Sequence, residues 1–222
     1  MSCDPQIPAL FSQIDRTNRD EYRYITETDA CYYIWERMSQ VKGDYYKYPT
    51  NNFISNFKIP VSLKKSRPTP HDRWYYKLHA LQFAARALGA LMPTEWRDYT
   101  FVPIPPSKTK TDPYHDPRCL RTLQAVQPAL PDVRELILLT ESAEAEQKGL
   151  TPYERAEHYQ INAALIHPEP QVVFLFDDVF TTGCHFKAAE LVLKSRFPYV
   201  MVVGIFLARA VRPGPEPLEN SN

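Results

Sequence analysis

Residues 172–183 read VVFLFDDVFTTG: an apolar run, two aspartates, two more apolar residues and a Thr-Thr-Gly turn. The helix-like stretch CHFKAAELVLKSRF follows at once. No other part of the chain constrains the fold as tightly. A short, continuous apolar run of this kind reads as a strand buried on both faces, and a helix entered directly from it points to a parallel sheet covered by helices. Ligands of such sheets bind beyond the carboxyl ends of the strands. The order therefore puts opposite chemistries side by side. Asp177 and Asp178, at the strand end, can accept hydrogen bonds from vicinal hydroxyls. Thr181, Thr182, Gly183, Cys184 and His185, at a helix N-terminus, can offer backbone N–H groups to a phosphate. A ribose 5-phosphate asks for both at that spacing.

The rest of the chain supplies elements for such a sheet. The stretch from His71 to Met92 carries Trp74, Leu78, Leu81, Ala85, Leu88 and Leu91 at helical spacing. YTFVPIPPS (99–107) reads as a strand broken by its proline pair, and CLRTLQAVQPAL as a helix ended by Pro128 or Pro131. RELILLT, INAALI and YVMVVGIFLA read as further strands. Thr151-Pro152 opens a short helix with a capping box to Glu154. Alternation of strands and helices from about residue 74 predicts an α/β fold with a mostly parallel sheet and helices on both faces. Upstream, TETDACYYIWERMSQ reads as a helix with an aromatic face at Tyr32, Tyr33 and Trp35, and 42–70 as irregular, so residues 1–70 are expected to form an α-rich N-terminal segment. The domain proper is expected over 71–210, with a disordered tail at 211–222.

Composition narrows the function classes. Lysine plus arginine and aspartate plus glutamate both number 26, so the formal net charge is zero, which argues against constitutive nucleic-acid binding. The cluster Lys58, Lys64, Lys65, Arg67 and Arg73 leaves a nucleic-acid contact open, with a solvated loop as the simpler reading. Cys3, Cys31, Cys119 and Cys184 are scattered with no CxxC pair, which argues against a zinc site or a disulfide framework. No run of 18 or more apolar residues and no signal-like N-terminus is present, so a cytoplasmic protein with no membrane span is expected. No GxxxxGK[ST] loop accompanies the acid pair, which weakens a nucleotide-hydrolase reading.

VVFLFDDVFTTG resembles the phosphoribosyl-pyrophosphate (PRPP) signature of type I phosphoribosyltransferases. The order FVPIPPSK, then Arg118 to Leu123, then EQKGLTPYERAEHYQIN, then VVFLFDDVFTTG, then VVGIFLARA is similar to the ComF-like, competence-associated branch over roughly residues 74–210. The resemblance implies a type I phosphoribosyltransferase-like sheet. It implies that Asp177 and Asp178 hold the ribose hydroxyls, and that Thr181 to His185 cradle the 5′-phosphate. It also implies Mg²⁺ bound through PRPP beside the two aspartates. The chain departs from the branch in lacking the N-terminal zinc-binding cysteines, in carrying Cys184 and His185 after the glycine, and in reading DPYHDPRCLRTLQ after Pro106.

Several other residues have a functional and a plain reading. Ser107, Lys108 and Lys110 follow the first sheet strand at the edge where a pyrophosphate would lie, or form a solvated basic loop. Arg118 and Arg121 face the site or water. Lys148 and Arg155 reach the site from a hood, or pair with Glu154 or Glu157. The aromatic stripe at Tyr32, Tyr33 and Trp35 is core, or a surface for a protein partner. The resulting expectation is PRPP binding with transfer to a nitrogenous acceptor. The alternative is a non-catalytic PRPP- or nucleotide-sensing module that acts with a protein or nucleic-acid partner, in DNA uptake or bacterial defence.

Overall fold

The structure is a computed structural model that describes residues 4–39, 47–142 and 149–212. Along the chain the strands are β1 (Ser12–Gln13), β2 (Ala30–Met38), β3 (Thr100–Pro103), β4 (Ile137–Leu139), β5 (Tyr159–Ile161), β6 (Val172–Phe180) and β7 (Met201–Val211). The α-helices are α1 (Pro49–Phe57), α2 (Arg73–Leu91), α3 (Arg118–Gln124), α4 (Pro152–Ala156) and α5 (Cys184–Arg196). The main sheet has the order β1-β2-β7-β6-β3. β2, β7, β6 and β3 are mutually parallel, and β1 joins antiparallel at the edge. β4 and β5 form a separate antiparallel pair. The expected mixed α/β architecture with a mostly parallel sheet is present.

β6 shows why its apolar run is unbroken. Phe174 and Phe176 pack with α2 residues such as Ala84 and Leu88 in one core, while Val173 and Leu175 pack with Ala189 and Leu193 of α5 in the other. A strand covered on both sides has no polar face to alternate with. The alternation changes phase across the acid pair, since Val179 belongs to the first core and Phe180 to the second. At that point Asp177 turns its own carboxylate onto the Asp178 N–H, at 2.7 Å.

Two readings of the N-terminal region are corrected. Residues 30–38 are a strand, not a helix, paired with β7 from Ala30↔Val203 to Met38↔Val211. The run CYYIW is rich in aromatic and β-branched residues that favour strands, and the exposed edge of β7 offers it a ladder that no local propensity reveals. Its aromatics are core material rather than a partner surface. Trp35 packs on Phe53 and Phe83, Tyr33 is buried under Arg209, and Tyr32 meets Trp96. Within the stretch expected to be irregular, Pro49 opens α1 and Phe53, Ile54 and Phe57 bury its inner face. The N-terminal segment is thus strand and helix together, not α-rich. RELILLT yields only the short β4, outside the main sheet, and INAALI is not a strand: β5 precedes it and shares only Ile161, while Ala163–Leu165 is a 3-10 turn opened by Asn162. The expected disordered tail falls, from residue 213 on, outside the described residues.

Candidate functional site

β3, β6 and β7 run in the same direction, so the carboxyl ends of β6 and β3 share an edge with the N-terminus of α5. A cavity of about 570 Å³ opens there. Its lining brings together the acid pair, Thr181, Gly183, Cys184 and His185 on one side and Ser107, Lys108 and Lys110 on the other. β4 of the hood, with Ile137 and Leu139, forms a further wall. Thr182 is next to this lining rather than in it, and its hydroxyl accepts from the Cys184 N–H at 3.3 Å.

The turn between β6 and α5 depends on Gly183, whose φ is +82°. A side chain there would collide with Ile25, with a Cβ only 2.8 Å from Ile25 Cδ1. The turn is also fixed from the N-terminal segment, because Tyr24 N–H donates to the Thr182 carbonyl at 3.1 Å. Lys187 in the first turns of α5 reaches Asp29 at 2.8 Å. The first-turn N–H groups of the helix have no partners within the helix itself, which leaves this end suited to an anion. Cys184 is not poised as a nucleophile: it is buried and its thiol donates to the Leu150 carbonyl at 3.2 Å.

The acids differ sharply. Burial alone would raise the Asp178 carboxyl, but Arg118 and Lys58 overcome it and hold it below the usual range. Arg118 contacts Asp178 through Nε and Nη2, both at 2.7 Å, and Lys58 Nζ lies 2.8 Å from its other oxygen. Among the described residues neither lysine nor arginine contacts Asp177, so burial and the neighbouring Asp178 charge push it up to about 7 although Lys58 and Arg118 nearby draw it down. The Cys119 thiol faces Asp177 at 3.8 Å and is kept protonated by burial and by both carboxylates. His185 lies 4.0 Å from Asp177, and the protein around its ring, with Arg155 next in effect, lowers its affinity for a proton.

The cations continue beyond the cavity. Arg118 Nη1 also meets Asp116 at 3.1 Å. Asp116 takes the buried Lys77 Nζ at 2.7 Å, and Lys77 donates further to the carbonyls of Phe57 and Ile59 at 3.0 and 2.8 Å. The loop after β3 is latched to the hood: Thr109 N–H donates to Ser142 Oγ, and the Ser142 hydroxyl to Asp112. Lys110 pairs with Glu135 at 2.6 Å, and Lys108 approaches Asp112 at 3.9 Å. Arg121 is exposed outside the cavity lining, while its neighbour Arg118 is central to the site. Lys148 lies outside the described residues, and Arg155 sits beside Tyr159 and His185.

Lys58, which the sequence places in a solvated basic loop, is instead a site residue. The signal was present but faint: Pro49 with Phe53, Ile54 and Phe57 defines a helix that ends at Lys58, yet nothing local ties that lysine to Asp178. Cys119, Asp177 and Asp178 place potential metal-ligand atoms within 4.8 Å of one another. Neither protein-family models nor curated proteins give a match to this chain. Among the described residues, no helix is long and apolar enough to cross a membrane.

Proposed function

We propose that this cavity binds a ribose 5-phosphate moiety in the form of PRPP with Mg²⁺, within a type I phosphoribosyltransferase-like fold, and positions it for transfer to a nitrogenous acceptor. One observation carries the reading. An acid pair and a left-handed glycine that opens a helix N-terminus line the same cavity at the carboxyl edge of a parallel sheet. The phosphate would sit on the N–H groups from Gly183 to Phe186, where the helix dipole favours an anion. Asp178, held ionised by Arg118 and Lys58, would accept from one ribose hydroxyl. Asp177, with its carboxyl near neutrality, would accept from the other as it gives up its proton. Ser107, Lys108 and Lys110 lie on the opposite wall, where a pyrophosphate needs donors and positive charge.

A protein-held magnesium cage of Cys119, Asp177 and Asp178 fits poorly, because the thiol is soft and protonated and Asp178 is already engaged by two cations. An ion carried by the ligand's own oxygens fits better, with Asp177 as its oxygen-rich neighbour. Bound in this way, Mg²⁺ would supply positive charge to the pyrophosphate, while Asp177 would help hold it. In the transfer itself the bond from ribose C1 to the pyrophosphate oxygen breaks with its electron pair leaving on pyrophosphate. The acceptor nitrogen's lone pair forms the new bond to C1. The chain's part is to orient the ribose and stabilise positive charge at C1 through the two carboxylates.

Calorimetry with PRPP and Mg²⁺ tests the reading, on wild type and on Asp177→Asn and Asp178→Asn. Binding by wild type that weakens in both variants is the expected result, and no binding by wild type overturns it. A second reading is sensing without turnover, favoured by the cations that already satisfy Asp178. PRPP binding without pyrophosphate release across a panel of nitrogenous acceptors is its expected outcome.

A further inference from the structure

Among the cations around Asp178, one differs in kind. Arg118 is held by two carboxylates at once, and its side chain is 21% exposed. Lys77 is 1% exposed and donates to two carbonyls and Asp116. Lys58 makes a single contact to Asp178 from a side chain that is 43% exposed and lines the cavity. Its backbone, in contrast, is well anchored. Lys58 N–H closes α1 onto the Ile54 carbonyl at 3.0 Å, and the carbonyls on either side of it, Phe57 and Ile59, are both taken by Lys77. The chain thus fixes where this lysine starts, while its half-exposed ammonium is tied only to Asp178 among the described residues.

Building on the ribose-phosphate reading, we infer that Lys58 is an exchangeable cation: it guards Asp178 in the free protein and transfers to the ligand's pyrophosphate on binding. Ribose hydroxyls arriving at Asp178 donate hydrogen bonds of their own, so the carboxylate stays satisfied when the ammonium leaves. The ammonium then meets an anion in a partly desolvated cavity, where a point charge on a flexible stem suits a phosphate group. Charge supports the direction of this exchange. Lys58, Arg118 and Lys77 gather around the two carboxylates Asp178 and Asp116, so cations already stand at this wall of the cavity before any phosphate enters. Arg118 cannot play this part without abandoning two carboxylates.

A merely structural Lys58 would affect every ligand of the site alike, whereas an exchanging one acts on the pyrophosphate alone. The affinities of ribose 5-phosphate and PRPP are therefore measured side by side by calorimetry, with inorganic pyrophosphate as competitor. The proteins are wild type, Lys58→Gln, Lys58→Met and Lys58→Arg, each checked for folding by thermal melting. The neutral variants are expected to lose roughly 10- to 100-fold in PRPP affinity, the loss of one charged hydrogen bond, with a much smaller change for ribose 5-phosphate. Pyrophosphate competition should weaken in parallel, and Lys58→Arg should retain most of the affinity. Lys58→Met keeps an unbranched stem for packing if Lys58→Gln does not fold. Equal losses for both ligands, or no loss for PRPP, overturn this inference alone. Wild type that binds neither ligand overturns the ribose-phosphate reading and this inference with it.

Discussion

Replacing Gly183 by alanine tests how the turn at the head of α5 is built. Two costs arise from the structure. The backbone at φ +82° is disfavoured for any residue with a Cβ, by about 1–2 kcal/mol. The new methyl would also lie 2.8 Å from Ile25 Cδ1, 2.9 Å from Ile25 Cγ1 and 3.3 Å from Phe180 Cζ. Ile25 is buried and must shift, an overpacking cost of about 1–3 kcal/mol. Loss of glycine's freedom in the unfolded chain returns about 0.4–1 kcal/mol. The net expectation is a destabilisation of about 2–4 kcal/mol, or a fall in Tm of about 5–15 °C for a chain of this size. Urea unfolding measures it directly. Gly149 is an internal control: its φ is +87° but nothing among the described residues lies within 4 Å of its Cβ position, so alanine there should bear mainly the backbone cost. Adding Ile25→Ala to Gly183→Ala separates the two costs. The double variant should be less destabilised than the sum of the singles by about 1–3 kcal/mol, since the methyl then occupies space that Ile25 vacated. Additive singles, or Gly183→Ala as mild as Gly149→Ala, would refute the argument that Ile25 closes down on this turn.

Two further outcomes follow from the charged groups. Asp177 sits at about 7 in the folded protein against an ordinary 3.8, so the folded state binds the extra proton between those values and stability falls as pH rises from about 4 to 7. Urea unfolding at pH 5 and pH 7 should show wild type losing more stability than Asp177→Asn, by an order of 1 kcal/mol per pH unit, and equal slopes would refute the assignment. Lys77→Met should destabilise by about 3–5 kcal/mol, because it strips a buried charge from Asp116 and leaves the carbonyls of Phe57 and Ile59 without their donor. A change below about 1 kcal/mol by the same assay would show that water or rearrangement replaces Lys77 readily.

The parts of the fold that sequence reading recovered are those whose causes are local. β6, its turn and α5 stand together because an unbroken apolar run, a left-handed glycine and an apolar helix face are adjacent in the chain. α2 follows from its helical spacing, and Thr151 and Glu154 form the expected capping box. The failures have distant causes. CYYIW is covered on both faces, Cys31 and Tyr33 in one core and Ile34 and Trp35 in the other, so it shows no strand alternation and its sequence suggests a helix. What makes it a strand is pairing with β7, at the far end of the chain. α1 was obscured by Asn51, Asn52 and Ser55, residues poor at forming helices, although Asn51 is buried and donates to the Met38 carbonyl. In the site, the acids and the turn were legible as a motif. Whether Arg118 or Arg121 faced them was not, because the choice depends on the phase of a helix of seven residues.

The N-terminal third of the chain bears on the site from two directions, which changes how the DDVFTTG motif is understood. A glycine turn at the head of a helix is readily read as self-sufficient, its glycine and helix end being enough. Here the space that Gly183 leaves is filled by Ile25, the Thr182 carbonyl is held by Tyr24, and Lys187 is tied to a buried Asp29. Asp29 is fixed in turn by the Thr26 N–H and hydroxyl, at 2.7 and 2.9 Å, immediately before β2 enters the sheet. On the other flank, α1 delivers Lys58 to the acid pair. The same stretch of chain that closes the edge of β7 therefore sets both the shape of the turn at the head of α5 and the charge at the acid end. A formal net charge of zero conceals this, because the cations around Asp178 are assembled locally from residues widely separated in the chain. The motif supplies the groups, and the N-terminal segment determines the positions and the charge state in which they meet a ligand.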